Sequence, residues 1–327
     1  MLKYEDIKIV ELELSSHCNA QCPLCPRNLF GYQFNAGYPI RHLLLEDVKT
    51  IIDVEFLKQL DSVIFEGNFG DPLMNPELID IVDYLNKPVT IMTNGSLQTD
   101  NFWIKLASLP VTVVFGIDGL EGVHEIYRRG TDYDRVIKNA TTFINAGGKA
   151  IWKMIEFDHN KHQISECEQL SKQLGFFSFK LVNHGRNNGP VFNKDGKLET
   201  VIGNFTGNVK LSHYKDIIAN GDMLIEDIDD KPKNSVKCES LAKSSIYISS
   251  DGEVYPCCYM GFSPRSYGKG RWHQPVNKQI TGILSDNNAL TKPLKECIEW
   301  FNNIPRCWTK TSFEDGRLIV CDAACGK

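Results

Sequence analysis

Apolar, β-rich runs alternate with amphipathic segments through the first half of the chain. Lys8 to Leu14, Ser62 to Glu66, Val89 to Thr93, Val111 to Ile117, Ala150 to Phe157 and Ser178 to Val182 read as six strands. Between them, Leu45 to Leu60, Pro76 to Leu85, Asp100 to Leu106, Asp134 to Ala146 and Ser165 to Leu174 read as helices, several opened by Asp, Ser or Pro and closed by Gly. This alternation predicts an α/β fold of parallel strands with right-handed crossovers, as an open doubly wound sheet or a barrel, complete or partial. From Asn183 to about Lys237 the periodicity dissolves into Asn, Gly, Lys and Asp, which predicts a bridging region with one or two short elements at most. No repeat of fixed period occurs, and no apolar run approaches the ~18–20 residues of a membrane helix.

Composition narrows the class. Hydrophobic residues make up 42% of the 327 and charged residues 24%, the balance of a globular chain and not of a disordered one. A formal net charge of -5 gives no global basic field, so neither a nucleic-acid partner nor an anionic membrane is expected. The opening MLKYEDIKIVELELSS carries acids where a secretory signal would carry a basic and then an apolar stretch, and the expected compartment is the cytoplasm. Thiols stay reduced there, so eleven cysteines point to metal before disulfide. They gather at two poles: Cys18, Cys22 and Cys25 near the start, and Cys238, Cys257, Cys258, Cys297, Cys307, Cys321 and Cys325 at the end, with Cys167 alone between.

The first pole is C-x3-C-x2-C. Three thiolates on one short loop can hold three irons of a [4Fe-4S] cubane, leaving the fourth iron open to a small molecule. Zinc is the chief rival, but a structural zinc site takes four ligands, and the fourth would be His17 or a distant group. A loop of three free cysteines is the plain alternative. The strand endings carry further unusual loops: GNFGDPLMNP after the second strand, NGS after the third and DGLEGVHEIYRRG after the fourth. In parallel βα folds, sites are built from loops at the carboxyl ends of the strands.

With its leading strand and trailing Pro-Arg, the cysteine loop resembles the cluster loop of radical S-adenosylmethionine (radical SAM) enzymes. Gly67-Asn68-Phe69-Gly70-Asp71-Pro72 resembles a degenerate form of that family's GGEP motif. Thr93-Asn94-Gly95 and Gly116-Ile117-Asp118-Gly119, followed by His124, Tyr127 and Arg128, resemble the third and fourth strand endings of the subgroup with a C-terminal auxiliary-cluster domain. The resemblance covers about residues 7 to 183. It implies a partial (β/α)6 TIM barrel, S-adenosylmethionine and a [4Fe-4S] cluster as cofactors, Cys18, Cys22 and Cys25 as catalytic cluster ligands, and cofactor contacts from Gly67, Asn68, Gly70, Asp71, Asn94, Asp118 and Arg128. Glycines let backbone approach such a ligand closely.

Cys238-x13-Gly252-x4-Cys257 resembles the opening of a twitch or SPASM auxiliary-cluster domain, and IYISSDGEVYPC reads as a hairpin turning at Asp251-Gly252 that returns Cys257 toward Cys238. Cys307, Cys321 and Cys325 supply the further ligands. Ile304 stands where the subgroup places the partner of Cys307, which favours a twitch domain with one auxiliary [4Fe-4S] cluster over two. The preferred set is Cys238, Cys257, Cys307 and either Cys321 or Cys325; if both of the last two bind, one of the others does not. Cys258, Cys297 and Cys167 read as packing residues, since free cysteine behaves as a small hydrophobe. A zinc ribbon is the rival for this pole.

Other groups carry plain readings beside functional ones. His17 can tune the cluster or be a satisfied loop histidine. Asp158-His159-x2-His162 reads as a solvated turn without a third ligand. Arg128, Arg129 and Arg186 can clamp a carboxylate or form surface ion pairs. Glu66 and Asp118 end strands facing the site, where one can contact cofactor or take a proton, although Asp118 can equally cap a turn.

The expected organisation is a radical SAM barrel at 1–183, a bridge at 184–235 and a small α+β twitch-like domain at 236–327. The resemblance implies reductive cleavage of S-adenosylmethionine, hydrogen abstraction, and net oxidation or dehydrogenation of a small molecule with the auxiliary cluster as electron acceptor. An external one-electron donor such as flavodoxin or ferredoxin would supply the reductant. The barrel opens within about ten residues of Met1, with no leader-peptide domain expected before it, which tilts the substrate toward a small molecule. The alternatives are a maturase acting on a peptide or protein side chain, and a non-catalytic regulatory protein binding zinc or a cluster.

Overall fold

The computed structural model describes residues 2–25, 27–28, 31, 39–182, 189–203, 232, 235–262, 279–280, 282–284 and 286–327. All six expected strands form: β1 (Ile9–Leu12), β2 (Ser62–Phe65), β3 (Val89–Thr93), β4 (Val111–Gly116), β5 (Lys149–Ile155) and β6 (Ser178–Val182). They lie side by side in chain order, each parallel to the next. Among the described residues the sheet does not close between its two edge strands, so the barrel is partial.

Alternation along these strands sorts apolar from charged. Val10, Leu12, Val63 and Phe65 are buried in the main hydrophobic core, with the helices on the outside of the sheet. Glu11, Glu13 and Glu66 take the opposite parity on β1 and just past β2, so the concave side of the sheet carries charge. Outside, Trp103, Phe115, Phe143, Trp152 and Phe176 pack with centroids 5.3–6.4 Å apart. Both indole N–H groups are satisfied, Trp103 donating to Leu97 O and Trp152 to Ile117 O.

Two helical details differ from the sequence pattern. The single helix expected over Leu45 to Leu60 is two, α1 (Leu45–Ile51) and α2 (Val54–Gln59), because Asp53 takes an N-cap conformation and its side chain accepts from Phe56 N at 2.8 Å. A four-residue helix, His124–Tyr127, forms inside what reads as a loop. Too short to show apolar periodicity, it is held by its packing.

The bridge contributes an antiparallel pair, β7 (Gly189–Phe192) and β8 (Leu198–Ile202); Arg186 and most of 184–235 lie outside the described residues. The expected C-terminal hairpin forms as β9 (Ser245–Ile248) and β10 (Val254–Tyr255), with Gly252 at φ +86 in its turn. Instead of building a sheet of its own, it extends the barrel: β9 runs parallel to β1, in register from Ile9↔Ser245 to Leu12↔Ile248. The carboxyl ends of β1 and β9 are therefore neighbours, while the antiparallel β10 returns Cys257 to the amino end of β9, beside Cys238.

Candidate active site

The amino-terminal loop leaves β1 and places Cys18, Cys22 and Cys25 on one wall of a cavity of about 330 Å³. Local hydrogen bonds shape it. Ala20 N donates to Cys18 Sγ at 3.3 Å, Cys25 N to Cys22 O at 3.1 Å, and Asn28 Nδ2 to Cys22 O at 3.0 Å. Gln21 N donates to Arg129 O at 2.7 Å, which fixes the loop to the end of the fourth βα unit.

The loop after β2 closes the next wall. Asp71 N donates to His17 O at 2.8 Å, and a Cβ on Gly70 would run into the carbonyl of Ser15, so only glycine lets the two loops touch. Asp71 itself is a staple. It accepts from Thr93 Oγ1, Asn94 N and Leu73 N at 2.8–3.0 Å, joining the second strand ending to the third. Asn94 Nδ2 in turn lies 3.7 Å from Cys18 Sγ and 3.0 Å from Asn19 Oδ1. Gly67, Asn68, Gly70, Asp71, Asn94 and Arg128 all line the cavity.

Asp118 is fully buried behind Arg128 and does not line the cavity; it positions the guanidinium, accepting from Arg128 Nε at 2.6 Å and from Ile155 N at 2.6 Å. His124 supports it, its Nδ1 meeting Asp118 N at 3.2 Å, and burial pushes this imidazole down to about 4, so it stays neutral. Gly116 leaves the space that Arg128 fills, since a Cβ there would sit 2.7 Å from Nη2. Arg128 also hydrogen-bonds Cys22, whose thiol is nonetheless pushed up to about 11, chiefly by burial. Burial, with Asp71 second, likewise raises Cys18. Thiols held this far up ionise when a metal replaces the proton.

The second pole forms its own cavity of about 210 Å³, lined by Cys238, Cys257, Cys258, Cys321 and Cys325. Pairing of the chain end with the segment before Cys238 assembles it: Lys237 N donates to Cys325 O at 2.9 Å, and Val236 bridges Gly326. Burial pushes the Cys321 thiol up to about 12, with the neighbouring thiols Cys238, Cys325 and Cys307 adding to the shift. Cys307 does not line this cavity; its Sγ lies 3.6 Å from Asn303 O within its own helix. Of the five expected ligands, four are gathered and Cys307 stands at the margin. Cys167 and Cys297 are fully buried, as their packing role requires.

Cys258 departs from its packing role. It lines both cavities, as do Glu66 and Tyr259, so these three residues form a common wall. The adjacent cysteines face different company. Cys257 is raised by burial and then by Cys258 and Cys321, whereas Cys258 is raised by burial and then by Glu11, Glu66 and Glu13. Burial lifts Glu13 to about 8 and Glu66 to about 7. Lys153, which interrupts the apolar stretch Ala150 to Ile155 of β5, reaches the amino-terminal cavity. That interruption is the sequence signal for it; Arg27, also in the wall, has none beyond following the motif.

The plain readings hold for the remaining groups. His17 stacks on His42 at 4.3 Å away from the cavity lining, and His159 stacks on Phe157 at 5.1 Å. Arg129 pairs with Glu199 at 2.9 Å. Among the described residues no three Cys, His, Asp or Glu side chains converge as for a single ion. A cubane instead spreads its ligands over separate corners, so three thiols on a polar cavity fit a cluster with one corner left for a ligand.

Residues 12–156 match the family described as the Radical SAM superfamily. The tungsten-containing aldehyde ferredoxin oxidoreductase cofactor-modifying protein of Pyrococcus furiosus is 24% identical over 338 residues, covering 97% of this chain and 89% of that protein. Among solved structures, Streptococcus suis SuiB bound to precursor peptide SuiA superposes with a TM-score of 0.56 at 17% identity, covering 96% of this chain and 76% of SuiB. Native anSMEcpe with bound AdoMet gives a TM-score of 0.54 at 17% identity, over 93% and 84%. These two likenesses share the fold through both halves of the chain.

Proposed function

We propose that the chain, whose residues 12–156 match the Radical SAM superfamily, is an enzyme whose Cys18, Cys22 and Cys25 hold a [4Fe-4S] cluster and whose polar cavity beside them seats S-adenosylmethionine. Held there, a reduced cluster would supply one electron for cleavage of S-adenosylmethionine to methionine and a 5'-deoxyadenosyl radical able to take hydrogen from a substrate. Gly67 and Gly70 let the second strand ending pack against Met92 and Ser15 backbone and so shape the pocket, Asn94 and Asn68 would offer hydrogen bonds, and Arg128, held by Asp118, would face the cofactor's carboxylate. Cys238, Cys257, Cys321 and Cys325 hold a second [4Fe-4S] cluster. We place the protein in the cytoplasm, with a flavodoxin or ferredoxin as electron donor.

One observation carries this reading: two thiol-lined cavities meet at a single wall of Glu66, Cys258 and Tyr259. A substrate against that wall stands between the radical source and an electron acceptor, which suits net oxidation. Hydrogen leaves to the radical, a proton passes to a carboxylate such as Glu66, and an electron leaves on the far side. A small molecule is the first choice of substrate, in keeping with a relative named for modifying a cofactor. The second reading, a peptide side chain, is favoured by structural neighbours captured with a precursor peptide and with the Cp18Cys peptide.

The test is a screen of deuterated alcohols, sugars and peptides with reduced, cluster-loaded protein and S-adenosylmethionine. Deuterium reaching 5'-deoxyadenosine from a small molecule and not from peptides supports the first reading; transfer from peptides alone replaces it with the second. No 5'-deoxyadenosine under any condition removes both.

A further inference from the structure

Within the radical SAM reading, we infer that Cys258 is a hydrogen-atom donor that quenches the radical of the amino-terminal cavity when no substrate takes it. Three observations converge. Cys258 is half-buried and lines the same cavity as Cys18, Cys22 and Cys25. The carboxyl-terminal cavity gathers four other thiols, Cys238, Cys257, Cys321 and Cys325, a full set for one cubane without it. Cys258, opening the helix Cys258–Phe262, shares the wall of the amino-terminal cavity with the carboxyl of Glu66.

An S–H bond is weaker than the C–H bond of a methyl group, so transfer to a primary carbon radical runs downhill. The step balances: 5'-CH2 radical and Cys258 S–H give 5'-CH3 and a Cys258 thiyl radical. One electron from the external reductant and one proton from Glu66, which shares the wall, restore the thiol. Unproductive cleavage of S-adenosylmethionine then consumes two electrons and leaves the protein intact, where an unquenched radical would attack the chain.

The test needs no substrate. Cluster-loaded protein, dithionite and S-adenosylmethionine in deuterated water should yield 5'-deoxyadenosine labelled from the exchangeable S–D. Cys258→Ala should lose most of that label. A readout independent of turnover is alkylation: iodoacetamide should modify Cys258 in the loaded protein, S-adenosylmethionine should slow it, and Cys258→Ala should retain the full iron content. Unlabelled product from the parent protein, equal label in Cys258→Ala, or alkylation of Cys258 only after iron is stripped would each overturn the inference. Absence of 5'-deoxyadenosine removes the radical SAM reading itself and the inference with it.

Discussion

The two cavities use the same donor atom in opposite ways. The amino-terminal one takes three thiols from a single eight-residue loop and fills the rest of its wall with Asn68, Asp71, Asn94, Arg27 and Arg128. The carboxyl-terminal one takes its thiols from segments as far apart as Cys238 and Cys325 and adds the apolar Val236, Ile304, Val320 and Ala324. A local loop with a polar annex can grip a cofactor at a vacant corner. The remote cavity gathers five thiols, Cys258 among them, beside Glu11, Glu66 and Lys243, and it depends on the pairing of Val236 with Gly326; on the proposed reading four of those thiols saturate a second cluster, which suits electron storage. Burial and ligand count, more than ligand type, separate the two roles.

The largest break in that contrast comes from the first pole. Cys18→Ala, Cys22→Ala or Cys25→Ala should abolish formation of 5'-deoxyadenosine, while iron analysis finds about four of eight irons retained at the other pole, the content of one cubane. At the second pole, Cys321→Ala should remove about four irons as well, yet uncoupled cleavage of S-adenosylmethionine should persist while substrate turnover is lost. Cys307→Ala should leave iron content unchanged. If instead Cys307→Ala loses the second cluster, the four-thiol assignment is wrong.

Smaller effects sharpen the picture. Gly70→Ala should cost about 3 kcal/mol in denaturant unfolding and impair loading of the first cluster alone, because the added methyl meets backbone and not a mobile side chain. Arg128→Lys should weaken binding of S-adenosylmethionine about tenfold by calorimetry, the worth of one charge-assisted hydrogen bond, with iron unchanged. The smallest is a pH effect. Glu13, 0% exposed and lifted to about 8, binds a proton in the folded protein that the unfolded chain releases near its ordinary value. Its contribution is complete below the unfolded pKa and is lost as pH rises through about 8. Stability should therefore fall between those limits, and Glu13→Gln should flatten the slope in thermal melts.

Much of this was legible in the residues. The apolar, β-rich runs located all six barrel strands because parallel strands covered by helices must be apolar on that face. The C-x3-C-x2-C loop was legible for a related reason: its ligands are adjacent in sequence, so spacing alone encodes their geometry. The same cannot hold for Cys238, Cys257, Cys321 and Cys325, whose meeting depends on the pairing of β9 with β1 and of Val236 with Gly326. Cys258 was hidden because adjacent cysteines look interchangeable until a strand end and a helix start turn them apart. Asp118 reads as a site residue from its motif, and only the Arg128 ion pair reveals that it acts one residue removed from the cavity.

The most direct measurement is electron paramagnetic resonance of reduced Cys321→Ala protein, in which only the amino-terminal cluster remains. Adding S-adenosylmethionine should shift the signal, as the methionine amino and carboxylate groups take the vacant iron. A signal indifferent to S-adenosylmethionine, or a colourless protein carrying zinc, would contradict an open cluster at Cys18, Cys22 and Cys25.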